Sequence, residues 1–94
     1  MNEAVALLRR RVVVSGVVQG VWFRDSCQRE AREAGVSGWV RNRGDGSVEA
    51  VFEGTPAAVS RLLDWCRSGP PRAEVVDVAV TEETVEGTCG FAIR

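Results

Sequence analysis

The 94-residue chain contains no histidine. That removes the usual general base near neutral pH, the Ser-His and Cys-His nucleophile pairs, and the commonest zinc ligand. Cysteine is scarce: Cys27, Cys66 and Cys89 are odd in number, widely spaced and without a CxxC. They indicate neither a disulfide framework nor a metal clip, and a reducing cytoplasm is the expected compartment. No apolar run approaches the roughly 20 residues of a membrane span. The apolar Ala4–Leu8 stretch is short, with its arginines after it rather than before, so no secretory signal is expected. An excess of one charge is also missing. Twelve basic residues, all arginine, face thirteen acidic ones for a net charge of -1, so no broad field exists to hold nucleic acid or anionic lipid, and a binding site must be local.

What is present fits one domain. Apolar residues make up 45% and charged residues 27% of 10.2 kDa, ordinary for a globular chain and too small for two cores. Seventeen valines against four leucines and one isoleucine favour strands, because a β-branched side chain loses rotamer freedom in a helix and packs well on a pleat. A first strand is expected over Arg11–Ser15, running into a loop whose Gly16 and Gly20 tolerate unusual backbone angles. From Phe23 the period becomes helical: Phe23, Cys27, Ala31 and Ala34 share one face, Arg29 and Glu33 are placed to pair, and Gly35 ends the helix. Val36–Asn42 and Ser47–Glu53 flank a Gly-Asp-Gly turn and read as a hairpin, with Val48, Ala50 and Phe52 alternating with the polar Ser47, Glu49 and Glu53. Thr55 and Pro56 open a second helix with Val59, Leu62, Leu63 and Cys66 as its stripe, which stops before Gly69-Pro70-Pro71. Val76, Val78 and Val80 alternate in a further strand, and Phe91-Ala92-Ile93 makes a terminal strand fragment. The order βαββαβ implies an α+β, ferredoxin-like sandwich, an antiparallel sheet with two helices on one face.

Two places attract attention. The segment Gly16-Val17-Val18-Gln19-Gly20-Val21-Trp22-Phe23-Arg24 joins a strand end to a helix start, where unpaired N–H groups, the helix dipole and a forked guanidinium suit an anion. Taken alone, Arg24 reads more readily as a solvated charge or a surface ion pair. Asn42, ending a strand before the hairpin turn, can orient a water or simply satisfy its own turn. Trp39 and Trp65 read as packing residues rather than stacking platforms.

The first of these strings resembles the acylphosphatase signature GxVQGVxFR. Gly38-Trp39-Val40-Arg41-Asn42 with Asp45-Gly46-Ser47-Val48-Glu49 resembles the second, GWVRNxxDGxVE. The similarity continues through Glu53-Gly54, Trp65–Pro70 and Phe91–Arg94. It covers residues 9–94 and leaves 1–8 as an N-terminal tail. The resemblance implies hydrolysis of the carboxyl-phosphate anhydride of a small acyl phosphate. Arg24 and the segment from Gly16 to Phe23 would bind the phosphoryl group, and Asn42 would position the attacking water. Asp25 and Arg43, next to those two residues, are where the chain is less typical of the pattern. Inorganic phosphate is then expected as product and competitive inhibitor, with no cofactor, metal, nucleic acid or membrane partner, and a monomer is expected.

The implied chemistry agrees with what is missing. Phosphoryl transfer through a loose transition state asks mainly for positioning and charge. A carboxylate whose conjugate acid has a pKa of about 4 leaves without a general acid. The rival is a non-catalytic ferredoxin-like module binding phosphate or nucleic acid, but no aromatic RNA-recognition run is present. A third reading, a domain serving a larger carbamoyl-phosphate-using protein, ranks lower because no other module accompanies it.

Overall fold

The computed structural model describes residues 6–94. Its elements are β1 (Leu8–Val17), α1 (Phe23–Ala34), β2 (Ser37–Asn42), β3 (Val48–Gly54), α2 (Pro56–Cys66), β4 (Glu74–Glu83) and β5 (Phe91–Ile93). They form one sheet in the order β4-β1-β3-β2-β5. The α+β, ferredoxin-like architecture is therefore as expected, with one difference. β1 pairs antiparallel with β3 and β4, and β2 with β3, but β5 runs parallel to β2, with Gly38 opposite Phe91 and Val40 opposite Ile93. β4 and β5 lie on opposite edges, so residues 84–90 cross the end of the sheet and bring β5 in along the direction of β2. The first strand is longer than Arg11–Ser15. It begins at Leu8, inside the expected tail, where Leu8 faces Gly54 across the ladder and packs against the core. Residues 1–5 of that tail lie outside the described residues.

Both helices end where local chemistry dictates. Gly35, with φ 73°, closes α1. The Thr55 hydroxyl accepts the Ala58 N–H at 3.2 Å and Pro56 opens α2. Phe23, Cys27 and Ala31 of α1 and Val59, Leu62 and Cys66 of α2 meet Val12, Val14, Val40, Val48, Ala50 and Phe52 of the sheet in the apolar core. Ala34 is only partly buried. Among the described residues Arg29 and Glu33 form no ion pair; Glu30 instead faces Arg61 of α2 at 3.6 Å.

The polar face of β3 departs most from its apparent alternation. Ser47, Glu49 and Glu53 are buried, Glu49 completely. β3 is the central strand, and arginines of its neighbours fold over it. Arg41 donates to Glu49 at 2.6 Å while Arg11 pairs with its other oxygen. Arg9, itself 4% exposed, donates to Glu53 and Glu83 at 3.1 Å each. The crossing segment closes the layer: the N–H groups of Glu86, Gly87 and Thr88 donate to Glu53 at 2.8, 2.9 and 3.1 Å.

β4 also breaks its apparent alternation. Ser15 pairs with Asp77 but Gly16 with Val75, so Val76 bulges from the ladder and is 82% exposed. Val78 packs on the core, whereas Val80 is exposed.

Candidate active site

Gly16 and Val17 belong to the end of β1 rather than to the loop. A Cβ on Gly16 would lie 2.1 Å from the Glu74 carbonyl oxygen, so glycine is required there by the close approach of β4. The loop proper spans residues 18–22, with Val18 and Val21 buried as its anchors. The Gln19 side chain is tied into the fold. Its Nε2 donates to the carbonyls of Arg43 at 2.7 Å and Ser47 at 2.9 Å, lashing the loop to the hairpin beside Asn42. The hairpin turn is held in turn by Asp45, whose Oδ1 accepts from the Ser47 hydroxyl at 2.5 Å and the Ser47 N–H at 3.0 Å. Those bonds keep the Asp45 carboxyl below its ordinary value.

At the loop exit Gly20 has φ 74° and Trp22 has φ 68° and ψ 22°. Two left-handed residues turn the chain sharply into α1. Trp22 occupies the N-cap position but no side chain caps the helix, so the first N–H groups of α1 have no capping acceptor. Phe23, the first helical residue, is pinned in the core. Its ring lies 5.0 Å from that of Trp65, and a Cβ on Gly69 would touch it at 2.8 Å. Fixing Phe23 fixes the start of the helix and therefore Arg24. Trp39 takes a different role from sheet packing alone: the guanidinium of Arg94 lies 4.6 Å and that of Arg41 5.7 Å from its ring centroid.

These elements enclose a pocket of about 280 Å³ lined by Val18, Gly20, Trp22, Phe23, Arg24, Asp25, Asn42 and Ile93. Arg24 and Asn42, from different elements, meet there. Gly16, Val17, Gln19 and Val21 do not line it. Among the described residues, Arg24 makes no ion pair and Asn42 no side-chain hydrogen bond, whereas Arg9, Arg10, Arg11 and Arg41 are all engaged with carboxylates. The cavity therefore offers a permanent cation, uncapped backbone donors and a free amide. That combination suits a phosphate-sized anion and a water beside it.

Ile93 is the lining residue that sequence reasoning misses. It arrives through the parallel pairing of β5 with β2, and a three-residue apolar run carries no signal of which strand it will join. Cys27 and Cys66 are buried away from the pocket lining. Burial pushes the Cys27 thiol well up and the Cys66 thiol up to about 12, so neither is a ready nucleophile. Among the described residues no group of three or more Cys, Asp or Glu side chains gathers as a metal site, and no helix is long and apolar enough to cross a membrane.

Comparison with known proteins bears on the chain as a whole. The acylphosphatase family model matches residues 10–93. An acylphosphatase of Rubrobacter xylanophilus is 55% identical over 95 residues, spanning all of this chain and 86% of the relative. Among solved structures, an acylphosphatase from Coxiella burnetii superposes with a TM-score of 0.90 at 40% identity, covering 94% of this chain and 93% of the other. That from Bacillus subtilis gives 0.89 at 41%, covering 93% and 98%. A match along nearly the whole length, in sequence and in backbone alike, means that this chain belongs to the acylphosphatase family, enzymes that hydrolyse acyl phosphates to a carboxylate and inorganic phosphate.

Proposed function

We propose that the pocket carries out this hydrolysis with Arg24 and the N–H groups at the start of α1 holding the phosphoryl group, and with Asn42 holding the nucleophilic water. The observation that carries the reading is the meeting in one cavity of the Arg24 guanidinium, a helix start without a side-chain cap and the Asn42 amide, the two side chains having no ion pair or hydrogen bond among the described residues. Bound there, the phosphoryl oxygens meet the planar fork of Arg24 and fixed backbone dipoles, which need no reorganisation as charge shifts. The water oxygen attacks phosphorus and the bond from phosphorus to the carboxyl oxygen breaks. Its electron pair leaves on the carboxylate, and the water's proton passes to phosphate oxygens or solvent. The side-chain oxygen of Asn42 accepts a hydrogen from that water and sets its approach.

In this mechanism Arg24 supplies the charge that a metal ion would otherwise bring, so activity should persist in chelator. Of the segment Gly16–Arg24, the residues that line the pocket are Val18, Gly20, Trp22, Phe23 and Arg24. Free thiols at Cys27, Cys66 and Cys89 support a cytoplasmic setting. A monomer suffices for this scheme, because Arg24 and Asn42 line one cavity of a single chain.

Benzoyl phosphate hydrolysis, measured with and without chelator, tests the scheme. Arg24→Ala should lose most activity and phosphate affinity while remaining folded, and Arg24→Lys should recover little, a point charge replacing a fork. Asn42→Ala should lower kcat strongly yet still bind phosphate, because the lost contact acts chiefly in the transition state. Unchanged turnover per folded molecule in Asn42→Ala would remove its role with water and leave Asn42 a turn residue.

A further inference from the structure

Trp22 is the sole residue other than glycine with positive φ among the described residues, and it is 67% exposed. A bulky aromatic is disfavoured twice there, by its backbone conformation and by the water around its indole. Glycine would remove both penalties. The side chain nonetheless sits on the rim of the catalytic pocket, one residue before Phe23 and two before Arg24.

The rest of the lining divides by chemistry. Arg24, Asn42 and the helix start form the polar end. Val18 and Phe23, 1% and 2% exposed, form a fixed apolar floor. Trp22 and the half-buried Ile93 stand as apolar walls open to solvent. Once the phosphoryl group occupies the polar end, the acyl portion of the substrate must lie along what remains. Asp25, exposed and without an ion-pair partner among the described residues, lines the same pocket and places a negative charge at its mouth.

Resting on the catalytic reading above, we infer that Trp22 and Ile93 form an acyl subsite that selects acyl phosphates with an uncharged aromatic or branched acyl group, and that Asp25 disfavours acyl groups carrying a second anion. The indole gains by stacking on an aryl acyl group what it forfeits in water. Asp25 repels a distal carboxylate or phosphate brought into the same pocket, through solvent that salt can screen.

The test compares kcat/KM for benzoyl, acetyl and succinyl phosphate, together with inhibition by inorganic phosphate, in the wild type, Trp22→Gly, Trp22→Phe and Asp25→Asn. Glycine accepts the φ of residue 22, so Trp22→Gly keeps the fold. The benzoyl-over-acetyl ratio should fall about tenfold in Trp22→Gly, mostly through KM, and be largely kept in Trp22→Phe. Asp25→Asn should raise the succinyl-over-acetyl ratio several-fold, an effect that shrinks with added salt. A benzoyl-over-acetyl ratio that does not move in Trp22→Gly overturns the acyl subsite and leaves the catalytic reading standing. So does an equal loss on both substrates accompanied by weaker phosphate inhibition, which would make Trp22 a loop support. A wild-type protein that hydrolyses none of the three overturns the catalytic reading and this inference with it.

Discussion

Glu53→Ala should be among the most damaging single changes in the molecule, although Glu53 does not line the candidate pocket. The Glu53 carboxylate is 3% exposed and accepts four hydrogen bonds, from Arg9 and from the N–H groups of Glu86, Gly87 and Thr88. Its removal leaves a 4% exposed guanidinium with only Glu83 and Glu86, and strips three backbone donors of their acceptor. Breaking a buried pair from one side costs about 3–5 kcal/mol. The retained contact with Glu83 argues for the lower end, about 3 kcal/mol, out of the roughly 5–15 kcal/mol typical of a whole domain. At about 4–8 °C per kcal/mol for a chain of this size, Tm should drop by roughly 12–24 °C. The acid dependence gives a second readout. Burial pushes Glu53 up, but the backbone donors and Arg9 outweigh it and hold the carboxyl below the usual 4.5. A carboxyl lowered by folding contributes fully above its unfolded pKa, and that contribution is lost as pH falls through the folded value. The gap in stability between wild type and Glu53→Ala should thus be constant near neutrality and narrow below about pH 4.5. Urea unfolding at pH 7 and at stepped acid pH measures both. A loss under about 1 kcal/mol at pH 7, the size of an ordinary surface change, or a gap indifferent to acid, would refute the assignment.

Gln19→Ala should cost about 1–2 kcal/mol for its two hydrogen bonds and lower kcat by loosening the loop from the hairpin; equal turnover per folded molecule in a coupled assay would separate Gln19 from the site. Gly16→Ala should destabilise by about 1–3 kcal/mol, because the new Cβ must displace the backbone of β4 at Glu74, and chemical denaturation that finds it neutral would contradict the observed closeness of β1 and β4. A thiol reagent on the folded protein should modify the exposed Cys89 quickly and Cys27 and Cys66 slowly, with hydrolysis retained; mass spectrometry alongside activity reads all three at once.

The parts of this fold written in local chemistry are legible in the sequence. Phe23 to Gly35 and Thr55-Pro56 announce their helices through periodicity, capping and breakers that involve only near neighbours. Arg24 and Asn42 are linked in the sequence only by the resemblance of the two strings that hold them to the acylphosphatase signatures. What escapes depends on what covers a residue. The alternation of Val48, Ala50 and Phe52 with Glu49 and Glu53 identifies a strand, but it cannot tell water on the far face from a layer of arginines supplied by β1 and β2. Gly16 reads as part of a flexible anion loop because a glycine demanded by a neighbouring backbone and one demanded by a ligand are the same letter. Ile93 and the bulge at Val76 are hidden for the same reason: each is set by a pairing between distant strands.

β4 is an outer strand ten residues long, paired on one side only, with Val76 and Val80 turned to solvent. Such an edge is an open template on which a second chain can add by backbone hydrogen bonding. Two features blunt it. The bulge at Val76 spoils a straight ladder, and Glu74, Asp77, Glu82 and Glu83 load the strand with negative charge. The second guard is electrostatic, so added salt screens it while the bulge stays in place. At high ionic strength the edge is therefore guarded by the bulge alone, whereas dilute salt keeps both protections against strand-to-strand addition in force.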